Sequence, residues 1–324
     1  METIRFGVIG TGMISDRFAE AVKATPDCEI VSVYSRSEKS GNTYAHRHGI
    51  KMVCTSLDAL FASGIDAVYV ASPNSLHFSQ SMAALDAGLH VLCEKPAVPT
   101  AEEYLALSQR AADKSLVLLE AMRPVHDPVL ALIKETLPRL GRIRHAVLEY
   151  CQYSSRYDAF LGGEVKNAFN PALANAAVMD IGIYPIELCV SLFGAPYAVS
   201  SGSVFLSNGF EGEGMARLSY DGMQALILYS KITDSVRPSV ITGEHGSLSF
   251  LHSNSPQELT LHLRGEAPTA IPYTPVENNM IYELAEFCRL IRGRVFSHPY
   301  TAISLESIRT VEQIRACRGI SFDV

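Results

Sequence analysis

The chain has 324 residues, 48% hydrophobic and 19% charged, with no single-residue tract, which excludes a disordered protein and predicts two domains that each bury a core. Its 27 Lys and Arg against 34 Asp and Glu give a formal charge of -7, which excludes a general attraction to nucleic acid or to an anionic membrane. The seven cysteines form no CxxC pair and are expected as reduced thiols, and no leader pattern is read in Met1-Glu2-Thr3-Ile4-Arg5. No uninterrupted apolar run reaches the roughly 18 residues of a spanning helix, so a cytoplasmic protein is expected.

In chain order, residues 4–9 form an apolar run that ends in Gly10-Thr11-Gly12, after which Met13, Ile14, Phe18, Ala21 and Val22 recur at helical spacing. Further short apolar strands are predicted over 29–34, 66–71, 89–93 and 116–121, with a helix over 75–87 capped by Gly88. Strands without polar alternation, separated by helices, predict a doubly wound parallel sheet through residue 121. After a helix over 129–137 the pattern changes to longer strands, 143–152, 199–206, 213–220, 224–231 and 259–263, and Tyr220-Asp221-Gly222-Met223 reads as a hairpin turn. Amphipathic helices over 278–292 and 302–316 follow. The expected domains are a dinucleotide-binding domain over 1–121 and a substrate-binding and oligomerisation domain over 122–324.

Gly10-Thr11-Gly12-Met13-Ile14-Ser15 carries the first two glycines of the dinucleotide fingerprint between a strand and a helix, with Ser15 in place of the third. The turn would bring a pyrophosphate against backbone N–H groups at the helix N-terminus, where the helix dipole favours anions. The second strand ends in Ser35-Arg36-Ser37 where NAD-preferring sites carry an acidic residue, so Arg36 is expected to pair with a 2′-phosphate and NADP is preferred over NAD. Ser72, Pro73, Asn74 and His77 follow the strand over 66–71 and are placed beside the cofactor. Glu94, Lys95 and Pro96 end the strand over 89–93, so Lys95 would emerge at the same ligand-binding edge, close enough to act on a reacting hydroxyl.

The Gly10/Gly12 turn, Pro73-Asn74 with His77, Glu94-Lys95-Pro96 and Asp180-Ile181-Gly182-Ile183-Tyr184-Pro185 together resemble the Gfo/Idh/MocA oxidoreductase family over essentially the whole chain. The resemblance implies an N-terminal Rossmann domain, a C-terminal α/β domain on a large open, mostly antiparallel sheet, homodimers or homotetramers that bury that sheet, and a cis Lys95-Pro96 bond that aims the lysine. Many members carry a histidine late in the last motif. Here Tyr184 stands four residues after Asp180, which on an α-helix puts the two one turn apart, and the variant resembles the glucose-fructose oxidoreductase and dihydrodiol dehydrogenase branch, where a tyrosine takes the catalytic role. A phenol ordinarily titrates near pH 10, and an adjacent ammonium stabilises its anion. Tyr184 is therefore expected to exchange the proton, with Lys95 beside it and Asp180 orienting the substrate or the lysine.

Arg123 is a further cofactor candidate and Asn167 a further substrate candidate. Scattered histidines without ligand spacing predict no metal site. The expected activity is NADP-dependent hydride transfer to or from a sugar, cyclic polyol or dihydrodiol. A redox-neutral elimination or glycoside cleavage on bound cofactor, and a non-catalytic NADP sensor, are the rival readings.

Overall fold

The structure, a computed structural model, describes residues 3–322; Met1, Glu2 and the last two residues, on which the leader reading and the outer limits of the expected domains fall, lie outside the described residues. The chain divides into two compact units. The first gathers the chain up to Val98 with Glu102–Met122 and Glu277–Ala302, and the second gathers Pro99–Ala101, Arg123–Val276 and the chain from Ile303.

The first unit is built on six parallel strands, β1 (Ile4–Ile9), β2 (Cys28–Tyr34), β3 (Met52–Cys54), β4 (Ala67–Val70), β5 (His90–Glu94) and β6 (Leu118–Ala121), in the order β3-β2-β1-β4-β5-β6. This is the doubly wound Rossmann order, whose strand direction of travel reverses between β1 and β4 and opens a crevice at the carboxyl ends of those strands. The connecting helices are α1 (Met13–Ala24), α2 (Glu38–His48), α3 (Leu57–Phe61), α4 (His77–Asp86) and α5 (Ala101–Asp113). The predicted parallel sheet is present, and its strands β4, β5 and β6 are almost wholly buried because both faces are covered, whereas β2 and β3 at one side are only partly so. Inside, Phe18 stacks on Tyr69 at 3.8 Å between ring centroids and meets Phe6 edge-on at 5.5 Å.

The second unit contains the short helices α6 (Arg123–His126), α7 (Val129–Thr136) and α8 (Tyr157–Leu161), the longer α9 (Ile183–Phe193), and eight strands. These are β7 (Ile143–Cys151), β8 (Ala198–Phe205), β9 (Glu211–Tyr220), β10 (Met223–Ser230), β11 (Ser239–Gly243), β12 (Gly246–Leu251), β13 (Gln257–Leu263) and β14 (Thr269–Ala270), in the order β14-β13-β12-β11-β7-β10-β9-β8. Every pair is antiparallel except β7 with β10. Alternation is clean at the centre: Ala225, Ile227 and Tyr229 of β10 are fully buried, and α9 packs on β7 and β10. Gly222, at φ 70°, closes the predicted β9–β10 hairpin.

One helical run, Pro171–Phe193, is 23 residues long and apolar enough by length and composition to cross a membrane, but Asn175, Asp180 and Glu187 interrupt it and 78% of its most apolar window is buried inside the protein. It is a core element of the second unit. The remaining helices are α10 (Met280–Arg292), which packs on α1 in the first unit, and α11 (Pro299–Arg318), whose later turns belong to the second.

Candidate functional site

In the first unit, Gly10 holds φ at 112°, and a Cβ there would come 2.4 Å from the Ala71 carbonyl oxygen, so only glycine fits between β1 and the end of β4. Gly12 differs. It precedes α1 with no side-chain cap on the helix N-terminus, and a Cβ on it would meet no protein atom within 4 Å. The absence of protein contact leaves a cradle of backbone N–H groups that a pyrophosphate can enter, and the residues present fit a dinucleotide. Thr11 and Ile14 are half-buried and Met13 is exposed, while Ser15 is buried and its carbonyl accepts from the Tyr44 hydroxyl at 2.6 Å.

Beyond β2, Ser35 is buried and its hydroxyl accepts from the Ser37 N–H, and the Ser37 hydroxyl in turn caps α2 by accepting from the Ser40 N–H, both at 3.3 Å. Arg36 is exposed and its guanidinium has no protein partner among the described residues. It is available to a phosphate.

At the ends of β4 and β5 the loops are tied together by His77, whose Nδ1 lies 3.0 Å from the Pro96 carbonyl oxygen and whose Nε2 lies 2.8 Å from that of Ser72. Both carbonyls favour the protonated ring, yet burial dominates and pushes the His77 pKa down. The neutral ring has a single N–H and donates it to one of these two carbonyls, so His77 links the loops at the place where the sequence reading puts it beside the cofactor. The Ser72 hydroxyl donates to Gln80 at 2.7 Å, and Pro73 and Asn74 are half-buried. The Lys95-Pro96 bond is cis, and Lys95 is half-buried at the end of β5. Glu94 accepts from the buried Tyr69 hydroxyl, whose pKa is raised by burial and then by that carboxylate. Glu120 accepts from the Ala97 N–H at 2.8 Å and so fixes the chain just after Pro96.

In the second unit, the Tyr184 hydroxyl accepts from the Arg123 guanidinium at 3.0 Å, and the edge of Tyr150 packs against its ring at 5.6 Å between centroids. Arg123 is thus a partner of Tyr184, a pairing that the sequence did not reveal. Asp180 and Tyr184 are not one regular α-turn apart. Val178–Gly182 form a π-helical turn before α9, which widens the helix between the two residues. The turn is anchored by buried Glu211, which accepts from the Val178 N–H at 2.9 Å and the Tyr229 hydroxyl at 3.0 Å. Burial pushes the Glu211 pKa up. Gly182 lies over the Tyr229 ring, where a Cβ would come within 2.9 Å of Cγ.

Asp180 is joined by a residue that the sequence reading missed, Lys231, whose ammonium lies 2.7 Å from Oδ2. Lys231 also donates to the Ala168 carbonyl at 2.6 Å, within the 3₁₀ turn Asn167–Phe169, and lies near the rings of Phe169 and Phe210. The signal was available: position 231 continues the buried alternation of Ala225, Ile227 and Tyr229. Asn167 is exposed, two residues from Phe169.

A six-stranded Rossmann unit with an open phosphate cradle, followed in the same chain by an eight-stranded open-sheet unit, defines a two-unit dinucleotide-binding protein. Residues 4–122 match the oxidoreductase family with NAD-binding Rossmann fold, and residues 136–249 match the GFO/IDH/MocA C-terminal domain. The chain is 38% identical to a scyllo-inositol 2-dehydrogenase (NADP(+)) of Bacillus subtilis over 98% of each chain. It is 25% identical to the human trans-1,2-dihydrobenzene-1,2-diol dehydrogenase, again over 98% of each. A solved 3-ketoreductase from Actinomadura kijaniata has the same fold, with a TM-score of 0.85 at 22% identity over 97% of this chain and 98% of that one. The chain belongs to the Gfo/Idh/MocA oxidoreductase family.

Proposed function

We propose that the protein is an NADP-dependent dehydrogenase or reductase of a sugar, cyclic polyol or dihydrodiol, with Tyr184 exchanging the hydroxyl proton. The observation that carries this reading is the Arg123 guanidinium donating to the Tyr184 hydroxyl at 3.0 Å. One lone pair of the phenol oxygen is thereby engaged by a cation, which stabilises the anion left after proton transfer to a substrate oxygen. Lys95 supplies a second positive charge at the substrate oxygen, and Asp180 accepts from a substrate hydroxyl. When bound, the nicotinamide supplies the hydride chemistry. Gly10, Gly12 and the N-terminus of α1 hold the pyrophosphate, and Arg36 holds the 2′-phosphate. A cyclic polyol is the favoured substrate because the 38% identical relative is named for one and matches over 98% of both chains.

The test is oxidation of scyllo-inositol, a dihydrodiol and an aldose with NADP and with NAD. Turnover with NADP that falls by at least about a hundredfold in Tyr184→Phe and in Lys95→Met, with NADPH affinity kept, is expected. Full activity in Tyr184→Phe removes that residue from proton transfer. The assembly we propose is a homodimer that covers the outer face of the eight-stranded sheet, where Met215 and Val204 are about half exposed, at 51% and 50%. A monomer by sedimentation at micromolar concentration would count against it.

A further inference from the structure

Lys231 has a side chain only 2% exposed, yet it carries an ammonium. Burying that charge is costly unless partners replace water. Its partners come from two irregular segments. Asp180 lies in the π-helical turn, and the Ala168 carbonyl lies in the 3₁₀ turn Asn167–Phe169. The faces of Phe169, at 5.0 Å, and Phe210, at 5.2 Å, complete the enclosure.

The pair is asymmetric. Lys231 is sealed, whereas the Asp180 side chain is 36% exposed. The carboxylate is therefore gripped through Oδ2 from the protein interior while the side chain keeps an accessible surface. Glu211 secures the start of the same turn at the Val178 N–H, so side chains rather than a regular ladder fix both the backbone and the carboxylate there.

We propose that Lys231 is a positioning residue for the reaction, which fixes Asp180 as a charged acceptor for a substrate hydroxyl and couples its position to the Asn167–Phe169 turn. This rests on the reading of Asp180 as the group that receives a substrate hydroxyl. A carboxylate with an ammonium against one oxygen is a weak proton acceptor and a good hydrogen-bond acceptor, so Asp180 orients the alcohol and leaves proton exchange to Tyr184. The chain thus separates the group that aligns the substrate from the group that exchanges its proton.

The experiment is a double-mutant cycle on the full-length protein, with wild type, Lys231→Met, Asp180→Asn and the double variant. Each is assayed with NADP and whichever of scyllo-inositol, a dihydrodiol or an aldose the wild type oxidises fastest. The expected result is a kcat/KM lower by roughly tenfold to a hundredfold in each single variant, expressed mainly in KM, with NADPH affinity unchanged. The double variant should be no worse than Asp180→Asn alone, because Lys231 acts through Asp180. Lys231→Gln, which can still donate to the Ala168 carbonyl but has no charge, provides a folded comparison if Lys231→Met is unstable, and it should show the same loss. Independent losses that multiply in the double variant, or a Lys231→Gln protein with wild-type kcat/KM, would overturn the proposal. An Asp180→Asn protein with wild-type kinetics refutes the role of Asp180 itself, and a wild type that oxidises none of the alcohols refutes the proposed function.

Discussion

Arg36→Ala gives a direct measure of cofactor choice. The guanidinium at the end of β2 is exposed and has no protein partner among the described residues, so its removal strands no internal group and leaves the fold intact. Ser35 and Ser37 are already hydrogen-bonded to the loop and to α2, so Arg36 is the charged group there that can meet a 2′-phosphate. A hydrogen bond between charged groups contributes about 1.5–3 kcal/mol, and solvent screening of an exposed arginine argues for the lower end. About 1.5 kcal/mol corresponds to roughly a tenfold rise in the NADPH Kd. NADH, which lacks the phosphate, should bind the variant as it binds the wild type, and the tenfold difference should shrink as salt is raised. The assay is titration by reduced-nicotinamide fluorescence, undisturbed by tryptophan because the chain has none. Equal weakening of NADPH and NADH, or no change in either, would refute the assignment of Arg36 to the phosphate.

The two glycines of the cradle should separate stability from binding: Gly12→Ala keeps the thermal midpoint but weakens NADPH, whereas Gly10→Ala loses both, since its Cβ would strike the Ala71 carbonyl. A midpoint lowered as far in Gly12→Ala as in Gly10→Ala would show a protein contact at that position after all. Gly182→Ala should destabilise the protein by about 1–3 kcal/mol by urea denaturation, because the ring it meets belongs to fully buried Tyr229, which is pinned on Glu211 and cannot withdraw. An unchanged midpoint there would mean that the π-turn shifts freely. His90 accepts from the Val117 N–H, and burial holds its pKa down to about 4, against a weaker opposing pull from Asp66. The unfolded chain, with a histidine pKa of about 6.5, therefore binds the extra proton first, so this contribution to stability is complete above about pH 6.5 and is lost as pH falls towards the folded value. His90→Asn retains an acceptor for Val117 without titrating, and its stability measured against pH should fall less steeply through that window; matching slopes would remove His90 from the acid response.

The strands at the centre of the Rossmann sheet were legible because burial on both faces makes them continuous apolar runs. β3 escaped because it has three residues, and β11 and β12 escaped because serines, threonine and glycines interrupt them. The glycine turn and Arg36 could be read locally, since strand, turn and helix lie together in sequence. Long-range pairings could not: nothing near Arg123 announces Tyr184, and although the alternation of β10 points Lys231 inward, nothing near it in sequence announces Asp180, Phe169 or Phe210. His77 shows the converse, a residue read locally for its place beside a ligand whose ring also spans the Ser72 and Pro96 loops, a long-range link the sequence does not announce.

The membership of α10 in the first unit bears on how the chain is made. Its Met280, Leu284 and Phe287 lie in the same buried cluster as Phe6, Phe18 and Tyr69, although more than 150 residues of the second unit are synthesised in between. A nascent chain that has reached Met122 has every strand of the parallel sheet but not the helix that packs on α1. The nucleotide-binding half therefore finishes folding among the last events of synthesis, and a fragment cut at the apparent end of that half would emerge with aromatic surface exposed and a tendency to aggregate.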